Sequence, residues 1–156
     1  MTTRVIIVRH GQSSYNAQKR IQGRCDESVL TEKGKADAQI LGETLKKLDI
    51  KAIYCSPLQR AKATAEIIHS CFAEPPLLVP TDTLLEIDLP LWEKLKKEDV
   101  AQQFPEQYDY WHEHPDQFKM TLSTPEGEKE HYPVLSLYKQ AQQFWQETLA
   151  KHQGQT

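Results

Sequence analysis

The chain has 156 residues, 38 % of them hydrophobic and 26 % charged, and its 19 Lys and Arg against 22 Asp and Glu leave a formal charge of −3. That length suits one domain able to bury a core and leaves little room for two. The charge excludes the broad basic field with which nucleic-acid binders meet phosphates, so no nucleic-acid partner is expected and any anion site must be local.

All five arginines, Arg4, Arg9, Arg20, Arg24 and Arg60, fall in the first sixty residues. A guanidinium grips phosphate or carboxylate with two donors where lysine offers a point charge, which directs attention to the N-terminal half, although scattered surface charge produces the same skew. Cys25, Cys55 and Cys71 form no CxxC pair. Neither a zinc knuckle nor a disulfide framework is indicated, and a cytoplasmic location is expected. No run approaches eighteen apolar residues, and the apolar stretch after Arg4 is too short for a signal peptide, so no membrane contact is expected.

Residues 5–8, VIIV, are wholly apolar and β-branched, which predicts a strand covered on both faces in a parallel sheet, with Arg9 and His10 at its carboxyl end. Gly34, Ala38, Leu41, Leu45 and Leu48 then recur at helical spacing behind Thr31, a candidate N-cap. KAIYCSP reads as a second strand stopped by Pro57. LQRAKATAEIIHSCF reads as a helix with Ala61, Ala65, Ile68 and Phe72 on one face, ended by Pro75 and Pro76. A third strand is expected within PLLVPTDTLLEI, interrupted by Pro80. Residues 92–133 lack a clean period and predict short helices and loops forming a lid. From Val134 a stripe of Val134, Tyr138, Ala141, Trp145 and Thr148 or Leu149 predicts a helix to about Lys151. The expected fold is α/β: one domain over residues 1–156, three-layered, with a mostly parallel sheet and helices on both faces.

Ligands of open parallel sheets collect beyond the carboxyl ends of the strands, which places Arg9, His10 and Gly11 in such a crevice. Arginine beside histidine suits a phosphate: the guanidinium neutralises oxygens while neutral imidazole attacks phosphorus, and glycine lets the backbone come close. From these residues alone, the polar end of a strand is the favoured reading.

The longer segment VRHGQSSYN resembles the signature of the histidine phosphatase superfamily, phosphoglycerate mutase-like branch. RIQGRCDESVLTEKG, SPLQRAKATAEII, LLEIDLPLW and PEGEKEHYPVLSLYKQAQQFWQE resemble the family's later blocks in the same order, so the likeness runs from residue 3 to about 150. The resemblance implies His10 as the nucleophile, Arg9 and Arg60 as phosphate clamps with Asn16 as a neutral donor, and Glu86 as an acid whose proton affinity a partly desolvated pocket raises. It implies contact of Arg20, Gln22 and Gly23 with the rest of the substrate, though Gln22 and Gly23 read equally as a turn. No metal or cofactor is implied, apart from 2,3-bisphosphoglycerate as a primer if the chain is a mutase.

Two departures stand out. The family's second histidine, on a late apolar strand before a last helix, has no counterpart before Thr156, so the chain reads as shortened at its C-terminus. His152 is expected to be solvent-exposed, His112 and His114 to lie on the lid, and His131 is the least poor substitute. Without that strand, an edge or apolar groove beside the first strand is expected, open to a homodimer contact. Pro90 and Lys94 stand where the family often has glycine, which alters the wall near Glu86. The expected function is phosphoryl transfer from a small phosphorylated metabolite through a phosphohistidine, as a phosphatase or mutase. The alternative is a phosphate-binding regulatory module without turnover.

Overall fold

Thr31 opens the first long helix of the chain. Its hydroxyl accepts from the Gly34 N–H at 3.1 Å, capping helix α2, Glu32–Leu45. In this computed structural model, which describes residues 2–156, α2 follows a single-turn helix α1, Ser14–Ala17. The buried face of α2 is Gly34, Ala38, Gly42 and Leu45, close to the predicted stripe; Leu48 lies beyond the helix and is exposed.

Strand β1, Ala52–Cys55, pairs in parallel with β2, Leu77–Pro80, and helix α3, Gln59–Ser70, makes the crossover between them. Pro80 is tolerated because it is the last residue of β2 and that strand has one neighbour. The buried face of α3 is Arg60, Thr64, Ala65 and Ile68, so it includes an arginine that the apolar stripe passed over.

Residues 5–8 correct the prediction: they join no strand among the described residues. Val5 is 48 % exposed and Ile7 85 % exposed. The reason is geometric. A cavity of about 600 Å³ separates this run from the free edge of β1, so no backbone partner is within reach. The mostly parallel sheet of the expected α/β fold is therefore two strands wide here, and a separate antiparallel hairpin makes the other sheet.

A short 3-10 turn, Asp82–Leu84, leads to Glu86 and then to a second core. Helices α4, Lys97–Gln103, and α5, Pro105–Glu113, are followed by the hairpin of β3, Met120–Thr124, and β4, Gly127–His131. Within it Leu89, Trp92, Val100, Phe118 and Met120 are buried together, with Trp92 1 % exposed between the rings of Trp111 and Phe118. Short helices were expected over 92–133; the hairpin was not, because residues 127–130 are all polar or glycine and exposed, giving no alternation to detect.

Helix α6, Pro133–Leu149, opens on proline at its first position. Leu137, Ala141, Phe144, Trp145, Thr148 and Leu149 line the cavity, so the predicted stripe faces it from Ala141 onward, while Tyr138 of that stripe is 59 % exposed. Beyond it His152, expected in solvent, is partly buried and its Nε2 meets the Tyr54 hydroxyl at 2.8 Å.

The start of α2 is locked to the loop after residue 10 by two glycines. A Cβ on Gly11 would lie 2.4 Å from the Gly34 carbonyl oxygen, and one on Gly34 would lie 2.2 Å from that of Gln12. Gly34→Ala should therefore cost about 1–3 kcal/mol in urea unfolding, since backbone must move to admit the methyl group. Lys19 has φ +57° just past the C-cap of α1, a left-handed position suited to glycine. Lys19→Gly should raise the urea midpoint, by about 1 kcal/mol of stability.

Candidate active site

Arg9, His10, Arg60 and Glu86 all line one end of the 600 Å³ cavity. Three separate pieces of chain bring them there: the loop after residues 5–8, the first turn of α3, and the segment after the 3-10 turn, with residues 22–25 holding the last two in place. The Gly11 N–H donates to the Thr64 hydroxyl at 3.0 Å, and that hydroxyl donates to the Arg60 carbonyl at 2.7 Å. Thr64 thus ties the His10 loop to the turn that carries Arg60.

Arg60 is 1 % exposed. Its Nη1 donates to the Cys25 carbonyl at 3.0 Å and its Nη2 to that of Gly23 at 2.8 Å. Burial lowers the affinity of the guanidinium for its proton, and the negative charges of Glu86 and Asp26 oppose that effect. The loop that supplies those carbonyls is anchored in turn on α3: the Gln59 N–H donates to the Asp26 carboxylate at 2.6 Å, capping the helix from outside its own sequence.

His10 is half-buried, and its Nδ1 lies 2.7 Å from the Gly11 carbonyl oxygen. A carbonyl only accepts, so the proton of the neutral ring sits on Nδ1 and Nε2 keeps its lone pair. Desolvation by burial holds the imidazole below its ordinary value of 6.5, and the positive charges of Arg60 and Arg9 push the same way. The Gly11 hydrogen bond and Glu86 oppose them. The neutral ring is therefore the favoured form, with the Nε2 lone pair unprotonated. Arg9 is exposed at the cavity mouth, and one Glu86 oxygen accepts from the Ile87 N–H at 2.9 Å.

The other predicted residues lie elsewhere. Asn16 closes the capping box of α1, its Oδ1 accepting from the Ser13 N–H at 3.2 Å and hydroxyl at 3.0 Å, and it does not line the cavity. Arg20 donates from Nη1 to the Lys94 carbonyl at 2.6 Å. Gln22 accepts from the Ser13 hydroxyl at 2.6 Å, and Gly23 has φ +50° with the Glu93 side chain packed where a Cβ would stand. These three serve the loop that meets residues 93–96. Lys94, read as replacing glycine, has φ +69°, a conformation glycine adopts without strain.

Sequence reasoning missed Thr64, Arg24 and Gln140. Arg24 donates from Nε to the Glu86 carbonyl at 3.1 Å and from Nη2 to Gln140 at 2.9 Å, while Gln140 donates to the Leu85 carbonyl at 2.7 Å. Together they pin the backbone that carries Glu86. The one available signal was Thr64 at i+4 from Arg60. Among the described residues, no three His, Cys, Asp or Glu side chains cluster closely enough to hold a metal ion. No described helix is long and apolar enough to cross a membrane.

A family model described as histidine phosphatase superfamily, branch 1, matches residues 5–156. The chain belongs to that superfamily. It is 40 % identical over 149 residues to a probable 2-carboxy-D-arabinitol-1-phosphatase of Arabidopsis thaliana, covering 96 % of this chain and 29 % of that protein. It is 32 % identical to phosphoserine phosphatase 1 of Hydrogenobacter thermophilus, over 98 % of this chain and 67 % of the relative. A 2,3-bisphosphoglycerate-dependent phosphoglycerate mutase of Bartonella bacilliformis is 36 % identical over 82 % of this chain and 61 % of its own length. Among solved structures, Bacillus stearothermophilus YhfR superposes with a TM-score of 0.79 at 31 % identity, over 95 % of this chain and 68 % of that one. This superfamily member thus spans under a third of the plant relative and about two thirds of the bacterial phosphatase. Its α/β fold is that of the solved relatives.

The His10 environment makes stability depend on pH. The unfolded chain takes up the imidazole proton near 6.5 and the folded chain only at lower pH, so acid favours unfolding. Stability present above about pH 6.5 should be lost as pH falls through the folded value, and in urea titrations His10→Gln should flatten that part of the profile.

Proposed function

We propose that the chain carries the phosphoryl-transfer centre of a phosphomonoester phosphatase that works through a phosphohistidine at His10. The observation that carries this reading is the His10 ring, with Nδ1 tied to the Gly11 carbonyl, Nε2 free, and protonation disfavoured beside Arg60 and Arg9. Nε2 attacks phosphorus, a P–N bond forms and the ester P–O bond breaks. The leaving alkoxide takes a proton from the Glu86 carboxyl. Water then attacks phosphorus, Glu86 takes one of its protons, the P–N bond breaks and inorganic phosphate leaves with His10 neutral again. Arg9 and Arg60 neutralise the equatorial oxygens as charge spreads over them. Asn16 has its Oδ1 committed to Ser13, which turns its amide nitrogen to the role of donor.

The reported relatives support this at the level of chemistry: each is named for an enzyme of phosphate esters, and none lends support to a module without turnover. The substrates in those names are small phosphate esters that also carry a carboxylate, and we assign the same class here. Hydrolysis is favoured over mutase action because the phosphatases match 96 % and 98 % of the chain and the mutase 82 %. A primer, 2,3-bisphosphoglycerate, enters only in the mutase reading. A coupled assay for 2-phosphoglycerate formed from 3-phosphoglycerate separates the two.

The chain should hydrolyse para-nitrophenyl phosphate, and His10→Ala should lower kcat/KM by at least about 1,000-fold. Glu86→Gln should cost about 100-fold on phosphoserine, whose alkoxide needs a proton, and much less on para-nitrophenyl phosphate, whose leaving group does not. The acid limb of kcat/KM should report a group titrating below 6.5. Turnover that survives His10→Ala overturns the assignment, as does an unsubstituted chain with none.

A further inference from the structure

Residues 86–88 carry the candidate acid yet belong to no helix or strand. Among the described residues, no backbone group of this stretch pairs with another backbone group. The carbonyls of Leu85, Glu86 and Asp88 are met by side chains instead. Gln140 Nε2 donates to the first at 2.7 Å, Arg24 Nε to the second at 3.1 Å and His131 Nε2 to the third at 3.0 Å. Those donors come from α6, from the loop of residues 22–25 and from the end of β4, so three distant elements hold one irregular stretch.

Arg24 and Gln140 also meet each other, Arg24 Nη2 donating to Gln140 Oε1 at 2.9 Å. A guanidinium only donates, so this contact turns the Gln140 oxygen toward Arg24 and leaves its nitrogen for Leu85. The result is a closed ring of hydrogen bonds through the backbone of Leu85 and Glu86. Leu85 has φ −58° and ψ 147°, so the chain is extended there. Successive carbonyls of an extended chain point in different directions, and holding both fixes the rotation of that chain about its own axis. The rotation aims the Glu86 side chain, which lines the cavity with His10. Its carboxyl accepts from the Ile87 N–H and, among the described residues, has no side-chain partner. Backbone placement therefore sets where the carboxyl goes.

We propose that Arg24 and Gln140 are positioning residues for proton transfer, holding the backbone at Glu86 so that its carboxyl meets the leaving oxygen of the phosphate ester. This role rests on the reading of Glu86 as the acid. The proton passes from the Glu86 carboxyl to the leaving alkoxide, and neither Arg24 nor Gln140 gives or takes one. Proton transfer needs heavy atoms about 2.6–3.2 Å apart, so a displaced Glu86 slows only those esters whose leaving group requires the proton.

Two variants test it. Gln140→Leu removes both side-chain bonds at similar volume, and Arg24→Lys keeps the charge but replaces two separated nitrogens with one. Each should lower kcat on phosphoserine by about 10-fold with KM within about 2-fold, and lower kcat on para-nitrophenyl phosphate far less. Combined with Glu86→Gln, neither should slow phosphoserine turnover further, because the group being aimed is gone. Equal losses on the two substrates, losses that add in full to that of Glu86→Gln, or an Arg24→Lys chain with no loss overturn the proposal while leaving Glu86 as the acid. A Glu86→Gln chain that loses equally on both substrates overturns the acid reading, and the positioning role falls with it. The Ile87 N–H gives a reading that needs no turnover: in both variants its amide exchange should quicken by about 10-fold while amides within α6 keep their rates. Unchanged exchange at Ile87 overturns the proposal, as does faster exchange throughout α6 in both variants.

Discussion

The burial of the Arg60 guanidinium is the constraint around which the N-terminal half is arranged. A charge taken out of water costs several kcal/mol unless its donors are met, and here two of them are met by the carbonyls of Gly23 and Cys25. That requirement explains why residues 22–25 form a tight loop with a left-handed glycine, and why Asp26 fastens the loop to the start of α3. The same loop sends Arg24 to the backbone at Glu86. One buried cation thereby sets the positions of a loop, a helix terminus and a carboxylate, and its field disfavours a second positive charge on His10.

The two halves of the molecule differ in how they satisfy their apolar residues. Around Trp92, aromatic rings from α5 and from residue 118 meet at 5.0–6.2 Å, and side chains from several short elements close a small core without a wide sheet. Around residues 5–8 the opposite holds. The side chains are suited to the middle of a sheet, yet Ile7 is largely in solvent and the inward face of α6 looks into a cavity. Exposed ion pairs such as Lys33 with Asp37 contribute little to either half. The candidate active site lies where these regions meet, with His10 and Arg9 on the open side and Arg60 on the packed side.

Local order was legible wherever a side chain acts on its own backbone. Thr31 as the cap of α2, Gly34 and Ala38 on its buried face and Pro57 as the stop after β1 depend on neighbours within four residues. Elements that depend on distant partners were not. The predicted α6 stripe holds from Ala141 onward, but Tyr138 is turned to solvent and Leu137 takes the inward place, because hydropathy alone cannot say which of two adjacent apolar residues meets the rest of the molecule. The hairpin of β3 and β4 was invisible because its pairing is carried by backbone and its second strand is polar. The contacts of Asn16 and Gln22 with Ser13 within the loop were likewise not legible, since they join residues brought together by the turn.

The sequence by itself determined the helix caps and breaks, the succession of α2, β1, α3 and β2, and the block of motifs that marks the superfamily. Those features follow from residue type and short spacing, which survive without knowledge of the fold. Only the tertiary structure decided that Arg60 is buried with its donors met, that Nδ1 of His10 holds the ring proton, and that Thr64, Arg24 and Gln140 fasten the pieces together. It also decided that residues 5–8 stand apart from β1. Strand propensity makes a run able to pair, but pairing needs a second backbone edge within hydrogen-bond reach, and that distance is a property of the whole fold.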